Sequence, residues 1–454
     1  MKGHVRTPAS VADRMVSYLF ADGAPAVDAR ILYPGCGGDG PFITAVAEYC
    51  AECDVSMPEG VAFETHPDRF AAVRDRHADK PIEFCQEDFL QELADVGEFD
   101  YIIGNPPYVP LPDIEDQDDY RSRFETAEQR FDLYSLFFEQ ALTLLADDGR
   151  VVFITPEKFE YTSATSPLRR LLTARHVERI EHLPEDTFGD YATYPTITVV
   201  ADAPPDETKI ERRDGSQTTV DLPQDGISWA PVIREVSGET LDSGVTLGDI
   251  TERISPGIAT GRDKVFVRPR ADVPQLVEQG WTYPTTSGKQ LQLNDGPHSD
   301  DVIICPYDED GNLISEDELG LFGQWAAEFH RDELESRSCV DTKGQAWYSW
   351  HETPPMDDIA GRPKVLFPDV TAEPQFWLDL DGEVLPRHSV YYLIPKDHVS
   401  IETLLEYLHS DQARAWLEAH CHRAANGYIR LQSRVLEDLP VPESFGKTIQ
   451  AELM

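Results

Sequence analysis

Through the first two hundred residues the apolar positions alternate between two periods. Short β-branched and aromatic runs read as strands: RILY (30–33), GVAFET (60–65), IEFCQED (82–88), FDYIIG (99–104), GRVVFITP (149–156), VERIEHL (177–183) and TITVVAD (196–202). Between them PFITAVAEYC, HPDRFAAVRDRHA, DLYSLFFEQALTLLADDG and SPLRRLLTARH carry apolar residues at helical spacing. Strands separated by helices of this length imply right-handed crossovers and a mainly parallel, doubly wound α/β sheet. Ligands of such sheets sit beyond the carboxyl ends of the strands. PGCGGDG (34–40) and NPPY (105–108) both fall there.

The pattern changes after Ala201. Residues 201–243 are polar and turn-rich, with a weak hairpin pattern, and mark a boundary that we place between 235 and 236. Beyond it, short β-like runs (KVFVRP, DVIICPY, PKVLFPDV, YYLIP) alternate irregularly with helical stretches such as SIETLLEYLHSDQARAWLEAHC (400–421). An α/β domain over 1–235 followed by an α+β domain over 236–454 is the organisation expected.

Composition narrows the class. A chain of 454 residues exceeds the usual size of one core, and 41% hydrophobic content suffices to fill two. No eighteen-residue apolar stretch occurs, and MKGHVRTPAS lacks the hydrophobic segment of a signal peptide. A soluble, cytoplasmic protein with no membrane partner is expected. Seven scattered cysteines, an odd number, argue against a disulfide framework. The 83 acidic residues outnumber 39 basic ones for a net charge of −44, spread along the chain as in DIEDQDD (113–119) and DED (308–310). With no single acidic tail and little lysine, this reads as adaptation to a cytosol of concentrated salt. At molar salt the screening length is ~3 Å, so an acidic surface does not exclude a polyanionic partner.

Two loops carry candidate chemistry. Pro34, Gly35, Gly37, Gly38, Asp39 and Gly40 lie between a strand and a helix, where glycine permits tight turns and close backbone approach to a ligand. Glu64 ends the next strand and Asp88 the one after, positions from which carboxylates can hold ribose hydroxyls and accept from an adenine amino group. In the second loop, Pro106 and Pro107 have no N–H, which leaves the carbonyls of Asn105 and Pro106 outside any strand ladder. An exocyclic amino group on an aromatic base is a poor nucleophile, because its lone pair is delocalised into the ring. The side-chain oxygen of Asn105 and the backbone carbonyl of Pro106 can accept its two hydrogens and draw the nitrogen towards tetrahedral geometry. Tyr108 can stack on the base for ~1–3 kcal/mol, which offsets part of the few kcal/mol that extrusion from a duplex costs.

With these motifs in place, the chain resembles the γ-class, TaqI-like adenine-specific DNA methyltransferases, which use S-adenosylmethionine. GHVRTPASVADRMV (3–16) is similar to their N-terminal motif, which puts Thr7 near the methionine carboxylate. YPGCGGDGPF resembles the cofactor glycine motif, FET the acid at Glu64, EDF the pair Asp88 and Phe89, and IIGNPPY the catalytic motif. DTFGDYATYPTITVV resembles the motif whose phenylalanine, here Phe188, packs against the flipped base. ISPGIATGRDKVFV, WYSW, PKVLFPDV and GYIRLQSRVLEDLPVP are similar to the family's C-terminal target-recognition domain. The resemblance implies a Rossmann-like class I methyltransferase domain, double-stranded DNA as partner, and a role in restriction–modification or a related defence system, with a cognate endonuclease as a further partner. No metal is implied. One departure stands out: where the family places an acid this chain has Tyr33, and the glycine loop is one residue longer, with Asp39 as a replacement carboxylate.

Other readings remain open. Release-factor glutamine and ribosomal RNA methyltransferases also use NPPY but generally lack a long C-terminal region, and NPPY does not exclude methylation of a cytosine amino group. A non-catalytic DNA-recognition subunit, its cofactor site weakened at Tyr33, is the rival of another class. Cys50 and Cys53 form a lone CxxC without a second pair at zinc spacing. His66 and His182 read as surface or strand-end residues, and Arg262, Lys264, Arg268 and Arg270 as a basic patch fit for phosphate contacts.

Overall fold

The computed structural model describes residues 5–91, 96–114, 117–189, 194–234, 241, 243–424 and 427–446. The chain divides into two compact units, Met1–Glu235 and Val236–Met454. The first opens with helix α1 (Ala9–Leu19) and then alternates: β1 (Arg30–Tyr33), α2 (Pro41–Glu52), β2 (Glu59–Phe63), α3 (Pro67–Arg76), β3 (Ile82–Cys85) and β4 (Phe99–Gly104). After α4 (Gln117–Arg123) and α5 (Leu133–Thr143) come β5 (Leu145–Pro156), α6 (Ser166–Thr173), β6 (His176–His182) and β7 (Pro195–Ala201). The hairpin β8 (Thr208–Glu211) and β9 (Gln217–Val220) completes a nine-stranded sheet of order β3-β2-β1-β4-β5-β7-β6-β8-β9.

Strands β3, β2, β1, β4 and β5 run parallel, and β7 is inserted antiparallel between β5 and β6. This is the Rossmann-like, doubly wound α/β architecture, mainly parallel, that the sequence pattern leads one to expect. The central strands are buried on both faces, as continuous apolar runs such as VVFI in β5 require. From β1 the chain moves outward to β2 and β3 and then returns to the other side of β1 as β4, so a crevice opens beyond the ends of β1 and β4.

One local expectation is corrected and two others are refined. The segment ending in LLADDG is helical only to Thr143, because Leu145 already pairs with Phe99 ahead of a bulge and Asp148 takes a positive φ of 59°. The weak hairpin pattern after Ala201 belongs to the first unit's sheet, as β8 and β9. His182 ends β6, in line with the strand-end reading, but it is buried, and its Nε2 lies 2.9 Å from a carboxylate oxygen of the equally buried Glu160.

The second unit is α+β. It holds one four-stranded sheet built from Thr251–Pro256, Val390–Pro395, Lys364–Pro368 and Trp377–Asp379, a second from Val267–Pro269, Asp301–Ile304, Thr282–Thr286 and Leu385–Pro386, and a three-stranded one. The stretch 400–421 forms two helices, Ile401–Leu408 and Asp411–His420, because the Ser410 side chain caps the second by accepting from the Ala413 N–H. KVFVRP begins as a helical turn, Asp263–Phe266, and becomes a strand only at Val267. Trp347, Tyr348 and Trp350 of the WYSW stretch are buried in this unit's core. All seven cysteines are free thiols. Among the described residues no helix is long and apolar enough to cross a membrane.

Candidate functional site

A cavity of about 470 Å³ lies at the crevice between the ends of β1 and β4. Its wall is built from four strand-end loops and the segment preceding α1. The loop after β1 contributes Pro34, Gly35, Gly37 and Asp39; Glu64 follows β2; Asp88 and Phe89 follow β3; Asn105 and Pro107 follow β4; Thr7 comes from the N-terminal segment. The apolar face of α5 closes one side with Leu133 and Phe137, one helical turn apart.

Each loop is fixed by identifiable contacts. Gly37 has a φ of 66°, which lets the loop turn back beside the cavity. Gly40 does not line the cavity. It caps α2 in the left-handed region, and a Cβ there would lie 2.7 Å from His77 Nε2 and 2.9 Å from Val73, so α3 leaves no room for a side chain. Buried Glu64 accepts from the His66 N–H at 2.9 Å and from Arg69 at 2.7 Å, an ion pair that fixes the orientation of its carboxylate at the cavity wall. Asp88 accepts from the Leu90 N–H at 2.9 Å and the Tyr120 hydroxyl at 3.3 Å, while Phe89 packs between Phe63 and Phe137. Tyr33, at the position where an acid was expected, is buried in the core with its hydroxyl unpartnered and its pKa pushed well up by burial. Asp39 instead faces the cavity, its carboxylate 2.6 Å from the guanidinium of Arg6.

The geometry at Asn105 decides what this cavity can do. Its Nδ2 donates to the Val5 carbonyl and to the Thr7 hydroxyl oxygen, each at 3.1 Å. Those two bonds fix the amide plane. The opposite atom, Oδ1, is buried without a partner. Among the described residues no hydrogen bond reaches the carbonyl of Pro106 either. Tyr108 is half-buried, and its hydroxyl donates to the Ile154 carbonyl at 3.2 Å. Burial raises its pKa, so it stays a neutral phenol. The segment after it is clamped, since the Leu133 N–H donates to the Val109 carbonyl and the Leu111 N–H to that of Phe131. Of the candidate catalytic residues, Asn105 and Pro107 line the cavity, whereas Pro106, Tyr108 and Phe188 do not; Phe188 is buried in the apolar cluster on which Tyr108 also packs. The rest of that motif, 190–193, lies outside the described residues.

Sequence reasoning missed several members of the site. Val5 acts through its backbone and leaves no trace in residue type. Arg69, five residues after Glu64 in the first turn of α3, was legible as an acid's partner. Among the described residues, one set of three side chains brings metal-ligand atoms within 4.8 Å of one another: Glu157, Glu160 and His182. They lie outside this cavity and form a buried charge network in which Glu157 pairs with Arg213 at 2.6 Å and His182 with Glu160. In the second unit, Arg262 of the basic patch is engaged with Glu333, and Arg268 donates to the Lys264 carbonyl.

Comparison with known proteins gives a consistent set of likenesses. The family model described as Eco57I restriction-modification methylase matches residues 59–188. The chain is 25% identical to the type II methyltransferase M.PaeR7I of Pseudomonas aeruginosa, over 97% of this chain and 86% of that protein. It is 24% identical to M.XhoI of Xanthomonas vasicola, over 76% of this chain and 68% of that one. Among solved structures, the type IIL restriction-modification enzyme MmeI in complex with DNA superposes with a TM-score of 0.66 at 13% identity, over 94% of this chain. The match covers 64% of the MmeI chain, and at that identity it establishes the fold.

Proposed function

We propose that this chain is an adenine-specific DNA methyltransferase of the γ class, acting in restriction–modification. The observation that carries the reading is the unpartnered Oδ1 of Asn105, buried at the wall of the cavity while the amide nitrogen is tied down behind it. A buried acceptor without a donor is a costly feature in a folded protein, and it is relieved by a ligand that brings the donor. The exocyclic amino group of a flipped adenine is such a ligand. Asn105 Oδ1 takes one of its hydrogens and the Pro106 carbonyl the other, which frees the nitrogen lone pair for attack. Tyr108 stacks on the base, and Phe188 backs the cluster that supports it. The nitrogen's extra proton leaves to solvent after transfer, with no covalent bond to the protein.

The residues around the cavity fit S-adenosylmethionine. Glu64 suits the ribose hydroxyls, Asp88 the adenine amino group, Phe89 its ring, and the Pro34–Gly35–Gly37 turn lets the backbone approach closely. When bound, that cofactor supplies the methyl group as a sulfonium. The second unit, Val236–Met454, is then the target-recognition domain, and double-stranded DNA is the macromolecular partner. The near full-length likeness to M.PaeR7I speaks against the release-factor and ribosomal RNA alternatives. The test is chemical. DNA incubated with the protein and labelled S-adenosylmethionine is digested to nucleosides and resolved by mass spectrometry. Label in N6-methyldeoxyadenosine is expected; label in N4-methyldeoxycytidine, or in neither, overturns the reading.

A further inference from the structure

With Tyr33 buried in the core, the α-amino-acid end of the cofactor has no strand-end acid to bind it. We propose that Arg6 and Asp39 form a two-charge clamp for that zwitterion, Arg6 taking its carboxylate and Asp39 its ammonium. This rests on the cofactor reading above and deepens it.

The placement follows from the order of the sheet. β2 and β3, which carry Glu64 and Asp88 at their ends, lie on one side of β1, and β4 with Asn105 on the other. The transferable methyl must lie beside Asn105, so the nucleoside reaches towards β2 and β3. The amino-acid arm leaves the same sulfur and is left to the N-terminal segment. That segment already holds Asn105 through Val5 and Thr7, and Arg6 lies between those two residues. Arg6 and Asp39 both line the cavity, and both also line an adjoining one of about 420 Å³, together with Asp13, Glu48 and Arg76.

The chemistry is complementary. Arg6 Nε and Asp39 Oδ2 stand 2.6 Å apart, so each charge is satisfied by the other. A ligand end that carries one negative and one positive charge replaces this ion pair by two, and leaves no charge unpaired in either state. The Arg6 side chain is 78% exposed, and an ion pair so open to water contributes little to folding, so opening it costs little. The Asp39 backbone stays in place meanwhile, because its carbonyl is held by His77 Nε2 at 3.2 Å.

The test compares three ligands by titration calorimetry on the full chain: S-adenosylmethionine, its decarboxylated analogue, and 5′-methylthioadenosine, which lacks the amino-acid arm. Arg6→Gln and Asp39→Asn are each expected to weaken S-adenosylmethionine about tenfold or more, the size of a lost charge-assisted hydrogen bond. Both variants should leave methylthioadenosine affinity unchanged. The decarboxylated analogue should respond to Asp39→Asn but not to Arg6→Gln. Unchanged S-adenosylmethionine affinity in either variant overturns the clamp, as does a parallel loss for methylthioadenosine. If the wild-type chain binds none of the three, the cofactor reading itself fails and the clamp falls with it, a result distinct from either of the others.

Discussion

Two buried polar centres in the first unit differ in how completely they are satisfied. Arg169 is almost fully buried, and its guanidinium donates to the carbonyls of Gly226, Ile227, Phe159 and Thr162 and to the Thr165 hydroxyl at 2.7–3.0 Å. Burial pulls its pKa down to about 10, still high enough to stay charged at neutral pH. Asn105 has its donors used and its acceptor empty. The first centre is closed and staples the chain around residues 226–227 to the turn after β5; the second leaves one acceptor unpartnered on a residue that lines a cavity. Unpartnered oxygens alone do not mark a site, since the hydroxyls of Tyr33, Thr155 and Thr196 are also without partners but lie in the core, away from the cavity wall. An empty acceptor points to a ligand where a cavity reaches it.

Breaking the closed centre should have the largest effect on folding. Arg169→Met strands several buried carbonyls at once and is expected to cost at least about 3 kcal/mol in urea denaturation; a loss below about 1 kcal/mol would mean water replaces the guanidinium. At the open centre, Thr7→Val removes one of the two acceptors that fix the Asn105 amide. It should lower kcat roughly tenfold to a hundredfold through misorientation, with little change in melting temperature. An unchanged kcat would show that Val5 alone sets the amide plane.

A smaller, pH-dependent effect separates the buried network of His182 from both. Burial by itself lowers the His182 pKa, but the charge and hydrogen bond of Glu160, with Glu157 adding to them, outweigh burial and Arg213, and the net shift is upward. A raised histidine pKa means that its contribution to stability is fully present below the ordinary value near 6.5 and is lost as pH rises through the folded value. Melting temperature should therefore fall as pH rises above that ordinary value, and His182→Gln should flatten the slope. Equal slopes in the two proteins would place the titration elsewhere. The smallest effect is expected of Tyr108→Phe, which removes the hydroxyl bonded to Ile154 at a cost of about 1 kcal/mol while keeping the ring that stacks. Loss of methyl transfer in this variant would assign the hydroxyl a role that its inward orientation argues against.

Much of the first unit was legible because period and turn chemistry agree there. The strands RILY, FDYIIG and TITVVAD lie where β-branched runs meet glycine and proline, and the loops that carry Glu64, Asp88 and Asn105 follow directly. What escaped was set by distant partners. Nothing local says that Leu145 will pair with Phe99 instead of extending a helix, or that His182 at the end of β6 will meet Glu160 in the core. Gly40 was read with the cofactor loop, yet its left-handed backbone and lack of a side chain serve packing against His77 and Val73. In the second unit, strands of two to six residues shared among three small sheets carry too little periodicity to reveal their pairing.

The central claim is that an oriented pair of oxygens, Asn105 Oδ1 and the Pro106 carbonyl, makes an aromatic amino group nucleophilic. The most direct measurement is single-turnover methyl transfer by Asn105→Ala, set beside its affinity for S-adenosylmethionine. The account predicts a rate loss of at least about a hundredfold, the scale of losing one preorganised partner in a transition state, with cofactor affinity nearly intact. A variant that still transfers methyl groups at close to the wild-type rate, or that loses rate and cofactor affinity together, would contradict it.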